Sequence, residues 1–447
     1  MMQNRRFLLV TLLVLMSFIL AACGRGAGET TDTGDTDGAA DSADTGDTVT
    51  VELWYHSGQG GEREALNTSI ENFTSENPNI TIDLVELPDG SYNDQVNAAA
   101  LANDLPCLLD FDGPNLYNYA WSGYLIPLDE YVDAAGIRDD FLPSILEQGI
   151  YNDQLYSLGQ FDSGLGFYAH RTYVEEASLR IPTVEEPWTL DELNEALAAL
   201  QAIEGVEYAF DLKMNYGRGE WFTYGFSPFV QSFGGDLVNR ADYQSADGVL
   251  NSSEAVAAMT WFQGLFEQGY VNPEPAGDTD FVEGKTALNW VGHWAYPDYL
   301  DALGDDLLLL PAPDLGAGAV TGMGSWNWGI TSTCENPDVA WEILNFLLTP
   351  EEILRMSNAN GAVPARLSAI EQSELYGAGG PLNIYVQQLE GGVALPRPIT
   401  PAYPAITEAF QEAIDNIASG ADVQDELDKA AQAIDQDIED NQGYPTQ

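Results

Sequence analysis

Hydrophobic and polar positions alternate first over VTVELWY (49–55), where β-branched and apolar residues predict a strand. The following HSGQGGERE turns the chain into a helix over about 62–77, with Ala65, Leu66, Ile70 and Phe73 forming an apolar stripe and Pro78 ending it. ITIDLVEL predicts a second strand, a helix follows around Tyr92–Ala102, and CLLDFD (107–112) predicts a third strand. This strand–helix–strand rhythm predicts a parallel sheet covered by helices. Ligands of such sheets sit beyond the carboxyl ends of the strands, which places Tyr55–Gly58 and Asp110–Pro114 on a binding rim.

Further along, PWTLDELNEALAALQAI opens with a capping box at Thr189 and Glu192 and continues as a helix. NSSEAVAAMTWFQGLFEQG is a second amphipathic helix closed by glycine, and FVEGKTALNWVG reads as a helix end, a turn and a strand. Helices are also predicted over 336–348 and 404–418, and no fixed-period repeat is visible. The whole is an α/β chain too long for one sheet, hence two lobes; 447 residues suffice for two or three domains.

Charge changes the picture. Acidic residues number 71 against 15 basic ones, a net charge near −56 that repels nucleic acid and anionic lipid surfaces. Such a surface acts as a solvation device in salty surroundings. The first 23 residues explain where it is displayed. MMQNRR is cationic, FLLVTLLVLMSFIL is apolar but too short and too asymmetrically flanked for an ordinary span, and the segment ends in Leu20-Ala21-Ala22-Cys23. That ending resembles the bacterial lipobox, which implies a diacylglyceryl group on Cys23 and a mature N-terminus there; two acyl chains anchor stably where one is marginal. Residues 24–48 contain no apolar side chain larger than alanine and are read as a disordered acidic stalk. They do not make an EF-hand, since Ala39 and Ala40 fill the fifth position and the glycine position counted from Asp35. Two further cysteines, Cys107 and Cys334, are compatible with a disulfide or with two buried thiols.

Catalytic signatures are scarce. There is no Gly-x-Ser-x-Gly elbow, no Walker loop and no dinucleotide fingerprint, and His56, His170 and His293 are too far apart in sequence to form a His-Glu-x-x-His zinc motif. Paired carboxylates for glycoside hydrolysis are not distinguishable among so many acids. The positive signal is aromatic. Trp290, Trp294 and Tyr296 follow or end a strand, Trp326 and Trp328 lie in a glycine-rich strand entry, and GEWFTYGF supplies Trp221 and Tyr224. A sugar ring offers an apolar C–H face and a hydroxyl rim, so a protein gripping it needs aromatic platforms edged by carboxylates and amides. The opposing reading is that each tryptophan is core.

Several ordered blocks point further: ELWYHSGQGGERE leading to FTSENPNI, LLDFDGPNLYNYAWSGYLIPLDEYV, FVEGKTALNWVGHWAYPD, GMGSWNWGITSTCENPDVAWEILNFLLTPE, GAVPARLSA and RPITPAYPAITEAFQEAIDNIASG. Over about 49–441 the chain resembles the family 1 extracellular solute-binding proteins, the maltose- and oligosaccharide-binding components of ABC importers. The resemblance implies an α/β, two-lobed periplasmic-binding-protein-like fold with three hinge crossings, near Gln160–Ser163, Thr321 and Val363. Lobe one is then 49–160 with 321–363, and lobe two 161–320 with 364–447. Cys107 and Cys334 fall in one lobe, and the resemblance implies a disulfide between them.

By the same resemblance the ligand-binding residues are His56, Ser57, Asp112, Asp162, Trp221, Trp294, Trp326 and Arg366. Cys107 stands where the family usually has aspartate. The usual maltodextrin-binding tryptophan of the last helical segment is replaced by nothing closer than Tyr403. The implied function is non-catalytic capture of a sugar or oligosaccharide by a monomer without cofactor or metal, lipid-anchored outside the cell membrane and delivering to an ABC permease. The alternatives are a polyamine, peptide or glycerol-phosphate ligand, or a surface glycosidase.

Overall fold

Two four-stranded sheets organise the computed structural model, which describes residues 48–58, 61–88, 91–377 and 379–445. The leader ending at Cys23 and almost all of the acidic stalk lie outside the described residues. The first sheet runs in the order 326–330, 108–112, 49–56, 80–87. Val49–His56 is parallel to Ile80–Leu87 throughout and to Leu108–Asp112, while Trp326–Ile330 runs antiparallel to Leu108–Asp112. The helix Glu62–Glu76 joins the first two parallel strands and buries the predicted stripe of Ala65, Leu66, Ile70 and Phe73. Val51, Leu53, Leu108 and Ile330 meet these residues and Ile343, Leu344 and Leu347 of the helix Pro337–Leu347 in one core. Cys107 and Cys334 are joined by a disulfide at one end of the 108–112/326–330 strand pair.

The second sheet runs 307–310, 165–170, 286–292, 208–211. Leu165–His170 is antiparallel to both neighbours, and Tyr208–Asp211 is parallel to Thr286–Gly292. Over it pack the helix Leu190–Gln201, whose capping box closes between Thr189 and Glu192, and the helices Glu220–Ser232 and Ser253–Glu267. The C-terminal helices Tyr403–Ala418 and Val423–Asp440 bury Ile406, Phe410, Ile414, Leu427 and Ile434 in the same core.

Strand composition shows where the chain passes between sheets. It leaves the first between Asp112 and Leu165 and returns between Leu310 and Trp326. It leaves again after Ala369, packed in the first core, to reach Tyr376 and Tyr385, which pack against Tyr168 beside the second sheet. Two short ladders lie along these passages: Phe161–Asp162 pairs antiparallel with Val363–Pro364, and Thr321–Met323 pairs parallel with Ala394–Pro396.

Candidate functional site

Both sheets aim carboxyl ends at one cavity of about 310 Å³, the scale at which small-molecule pockets begin. From the first sheet come His56 and Asp112, each the last residue of its strand, and Trp326, which opens the antiparallel neighbour and therefore stands at the same edge. From the segments packed with the second sheet come Tyr216, Trp221, Tyr224 and Trp294; Arg397 completes the floor.

The aromatic plates rest on glycines. A Cβ added to Gly292 would stand 2.1 Å from the Trp294 ring, one on Gly225 would stand 3.0 Å from Trp221, and one on Gly322 would stand 2.9 Å from Tyr224. Their polar edges are satisfied: Trp294 Nε1 donates to Tyr216 Oη at 3.0 Å, and Trp221 Nε1 donates to the Leu212 carbonyl at 3.1 Å. The two indoles meet edge to face, centroids 6.0 Å apart at 86°, a favourable arrangement of ring quadrupoles. The turn carrying Tyr216 follows Lys213, which is fully buried with its ammonium 2.9 Å from Asp211 Oδ2 and also paired with Asp278. A buried ammonium so paired holds its loop in place, because removing either carboxylate would leave an uncompensated charge.

On the first-sheet side, His56 lies flat on Trp326, centroids 3.6 Å apart and 7° from parallel. Its Nδ1 faces Asp110 and its Nε2 is 3.2 Å from Glu62. Burial works to lower the imidazole pKa, but the Asp110 carboxylate and the hydrogen bonds the ring donates to both acids outweigh it and raise the value to about 10. His56 is therefore an imidazolium at neutral pH, and one face of Trp326 is taken by it. His293, also in the lining, is the reverse case: burial lowers its pKa to about 4, so it is neutral, with Nδ1 2.9 Å from the Asn360 carbonyl.

Arg397 is the centre of the floor. Its Nη1 and Nη2 each lie 2.6 Å from an oxygen of Asp112, and Nη1 lies 2.6 Å from Glu220 Oε1. The guanidinium also sits over the Tyr224 ring at 4.9 Å, and its Nε is buried without a partner. Glu220 is held in turn by Thr407 Oγ1 at 2.8 Å and by the Tyr403 hydroxyl.

Of the residues expected to meet ligand, the cavity brings together His56, Asp112, Trp221, Trp294 and Trp326. Ser57 donates to the Leu87 carbonyl at 3.3 Å and is not in the lining. Asp162 is buried behind it, accepting from the Ser163 and Gly324 amides at 2.8 and 3.1 Å, and burial raises its pKa; Ser163 reaches the cavity in its place. Arg366 lies elsewhere, its Nε 2.7 Å from Asp140 and its Nη1 on the Leu348 carbonyl. Its fork is used to pin the 363–370 segment to residues 140 and 141. Trp290 and Trp328 are core: their Nε1 groups donate to the Gly225 carbonyl and to Gln160. Tyr403 is fully buried and reaches only the back of Glu220. Sequence reasoning passed over Arg397 and Glu220, although both lie in or beside stretches it singled out, RPITPAYP and GEWFTYGF. Among the described residues no cluster of His, Cys, Asp and Glu could hold a metal ion, and no helix is long and apolar enough to cross a membrane.

The model of a family described as bacterial extracellular solute-binding protein matches residues 68–378. An uncharacterized lipoprotein of Streptomyces antibioticus is 20% identical, the match covering 82% of this chain and 78% of the relative. The GacH receptor of Streptomyces glaucescens, solved unliganded and in complex with acarbose, is 21% identical with a TM-score of 0.75, covering 88% of this chain and 98% of that one. UgpB from Mycobacterium tuberculosis in complex with glycerophosphocholine is 18% identical with a TM-score of 0.76, covering 88% and 99%.

Proposed function

The chain belongs to the bacterial extracellular solute-binding protein family, and we propose that its cavity captures a sugar or oligosaccharide for delivery to an ABC permease. The observation that carries this reading is the pairing of glycine-backed aromatic plates with hydrogen-bonding carboxylates inside one cavity of about 310 Å³. Trp294, backed by Gly292, offers a flat face to the C–H side of a pyranose, with the buried Trp221 and Tyr224 packed against it, and the Asp112–Arg397–Glu220 cluster offers acceptors to its hydroxyls. The acarbose complex of the GacH receptor, a protein of the same fold, supports the ligand class. Asp162 contributes from behind, by fixing Ser163 and Gly324 at the cavity wall.

Closure follows from the two-sided lining. With lobe one as 49–160 plus 321–363 and lobe two as the remainder, His56, Asp112 and Trp326 belong to one jaw and Trp221 and Trp294 to the other. Ligand touching both favours the closed state. The two short ladders at 161–162/363–364 and 321–323/394–396 serve as the hinge. The protein works as a monomer without catalysis, tethered outside the cell membrane through lipid on Cys23, with residues 24–48 as the tether's stalk. The lipoprotein of Streptomyces antibioticus is a relative consistent with that attachment.

Titration calorimetry with a panel of neutral mono- and oligosaccharides tests the reading. At least one should bind without turnover, and Trp294→Ala and Trp326→Ala should each weaken it by roughly thirtyfold or more, as expected for central aromatic anchors, with little change in melting temperature. Undiminished affinity in both variants would assign the rings to structure, and hydrolysis of the sugar would assign the chain to the glycosidases.

A further inference from the structure

Every cation lining the cavity is met by two carboxylates. His56 stands between Asp110 and Glu62; Arg218, at the rim, lies 2.5 Å from Glu408 and 3.3 Å from Glu412; Arg397 is shared by Asp112 and Glu220. A guanidinium in a ligand cavity is ordinarily the group that takes a carboxylate or phosphate on its fork. Here the fork is already filled, with both Nη atoms on Asp112 at 2.6 Å, and the second carboxylate makes the arginine's immediate surroundings net negative. Of its three nitrogens only Nε, which is buried, has no partner. Glu220 cannot swing aside cheaply, because Thr407 and Tyr403 hold its other contacts.

We propose that Glu220 and Asp112 together act as a charge filter on Arg397, so that the cavity refuses anionic solutes, phosphodiesters and uronates alike, and accepts uncharged polyhydroxy ligands. This rests on the cavity being the solute site proposed above and specifies the ligand's charge. Glycerophosphocholine, present in the UgpB complex, carries a phosphodiester, the kind of solute that the filter would refuse here. The residue that determines specificity is Glu220: with Asp112 alone opposite it, Arg397 would be neutralised rather than overcompensated, and an anionic oxygen could compete for Nη1.

Inorganic phosphate is the direct probe, titrated at constant ionic strength and followed by thermal shift and calorimetry, beside a neutral malto-oligosaccharide and one ending in glucuronate. The full chain should show no saturable phosphate binding. Glu220→Gln and, independently, Asp112→Asn should gain it, and should bind the glucuronate-ended sugar roughly tenfold or more tightly than the unaltered protein does, as expected for one charged hydrogen-bond partner. The gain should vanish when Arg397→Gln is added. Saturable phosphate binding by the unaltered protein that disappears in Arg397→Gln would overturn the filter, as would the absence of any gain in a variant whose circular dichroism shows it folded. Phosphate behaving as expected while no neutral sugar binds would end the sugar reading and leave the filter standing; the opposite pattern would end the filter alone.

Discussion

At Gly292 the missing side chain is occupied by its neighbour's ring. Three ring carbons of Trp294 lie 2.1–2.5 Å from where a Cβ would be, so alanine and the present ring position cannot coexist. Gly292→Ala should therefore turn Trp294 away from the cavity, weaken a bound neutral sugar by about tenfold or more, and shift the tryptophan emission. Its overpacking cost should stay within ~1–3 kcal/mol, and affinity unchanged in calorimetry would show that the ring's placement is irrelevant to binding. Trp294 was singled out through the resemblance, on the Gly-x-Trp segment that follows an apolar strand. Trp290, four residues earlier, has the same composition around it but points into the sheet's packed face, and only the pleat decides that. Arg397 was not legible: its partners are 285 and 177 residues away, and nothing in RPITP signals a meeting with Asp112 and Glu220. Arg366 drew attention through its block, yet its Nε is spent on Asp140 and its Nη1 on the Leu348 carbonyl.

Among elements, the ladder between Leu108–Asp112 and Trp326–Ile330 has two ends with different duties. Trp326 faces Asp112 at the cavity, while Ile330 faces Leu108 beside the Cys107–Cys334 disulfide. The bond closes a separation of 227 residues and constrains the unfolded chain, so its stabilising effect is exerted away from the site. Replacing both cysteines with alanine should lower unfolding free energy by about 2–4 kcal/mol in denaturant titrations and leave sugar affinity within about twofold; a large affinity loss would mean that the bond shapes the cavity after all. The parallel strands 49–56 and 80–87 were readable from alternation, since each keeps one face partly exposed. Leu165–His170 was not, because all six of its residues are buried between layers and the period of two disappears. Leu307–Leu310 likewise offers four leucines and no pattern. Three strands of the first sheet could thus be drawn from their residues, and of the second only the one within FVEGKTALNWVG, which is why the two-lobed arrangement rested on resemblance.

Over the whole molecule, a net charge near −56 sets long-range repulsion against a handful of local ion pairs. Pairs such as Arg138–Asp129 and Arg180–Glu192 are partly exposed and contribute about 0–1 kcal/mol each. The repulsion is summed over 71 acids, acts across the surface, and is weakened by salt once the screening length falls below the spacing of neighbouring charges. Adding salt should therefore stabilise this protein, with melting temperature rising from roughly 0.01 M to 1 M monovalent salt, the range over which the Debye length falls from about 30 to 3 Å. The cavity should respond differently. Arg397, Asp112 and His56 are buried and locally paired, so screening reaches them weakly, and a neutral sugar brings no charge for salt to act upon. Calorimetry over the same series should find its affinity changed by less than about twofold. A melting temperature that falls with salt would mean that the surface pairs outweigh the repulsion. Affinity that changes steeply while stability rises would mean that the acidic field, rather than the ring faces and the filled fork of Arg397, governs what enters.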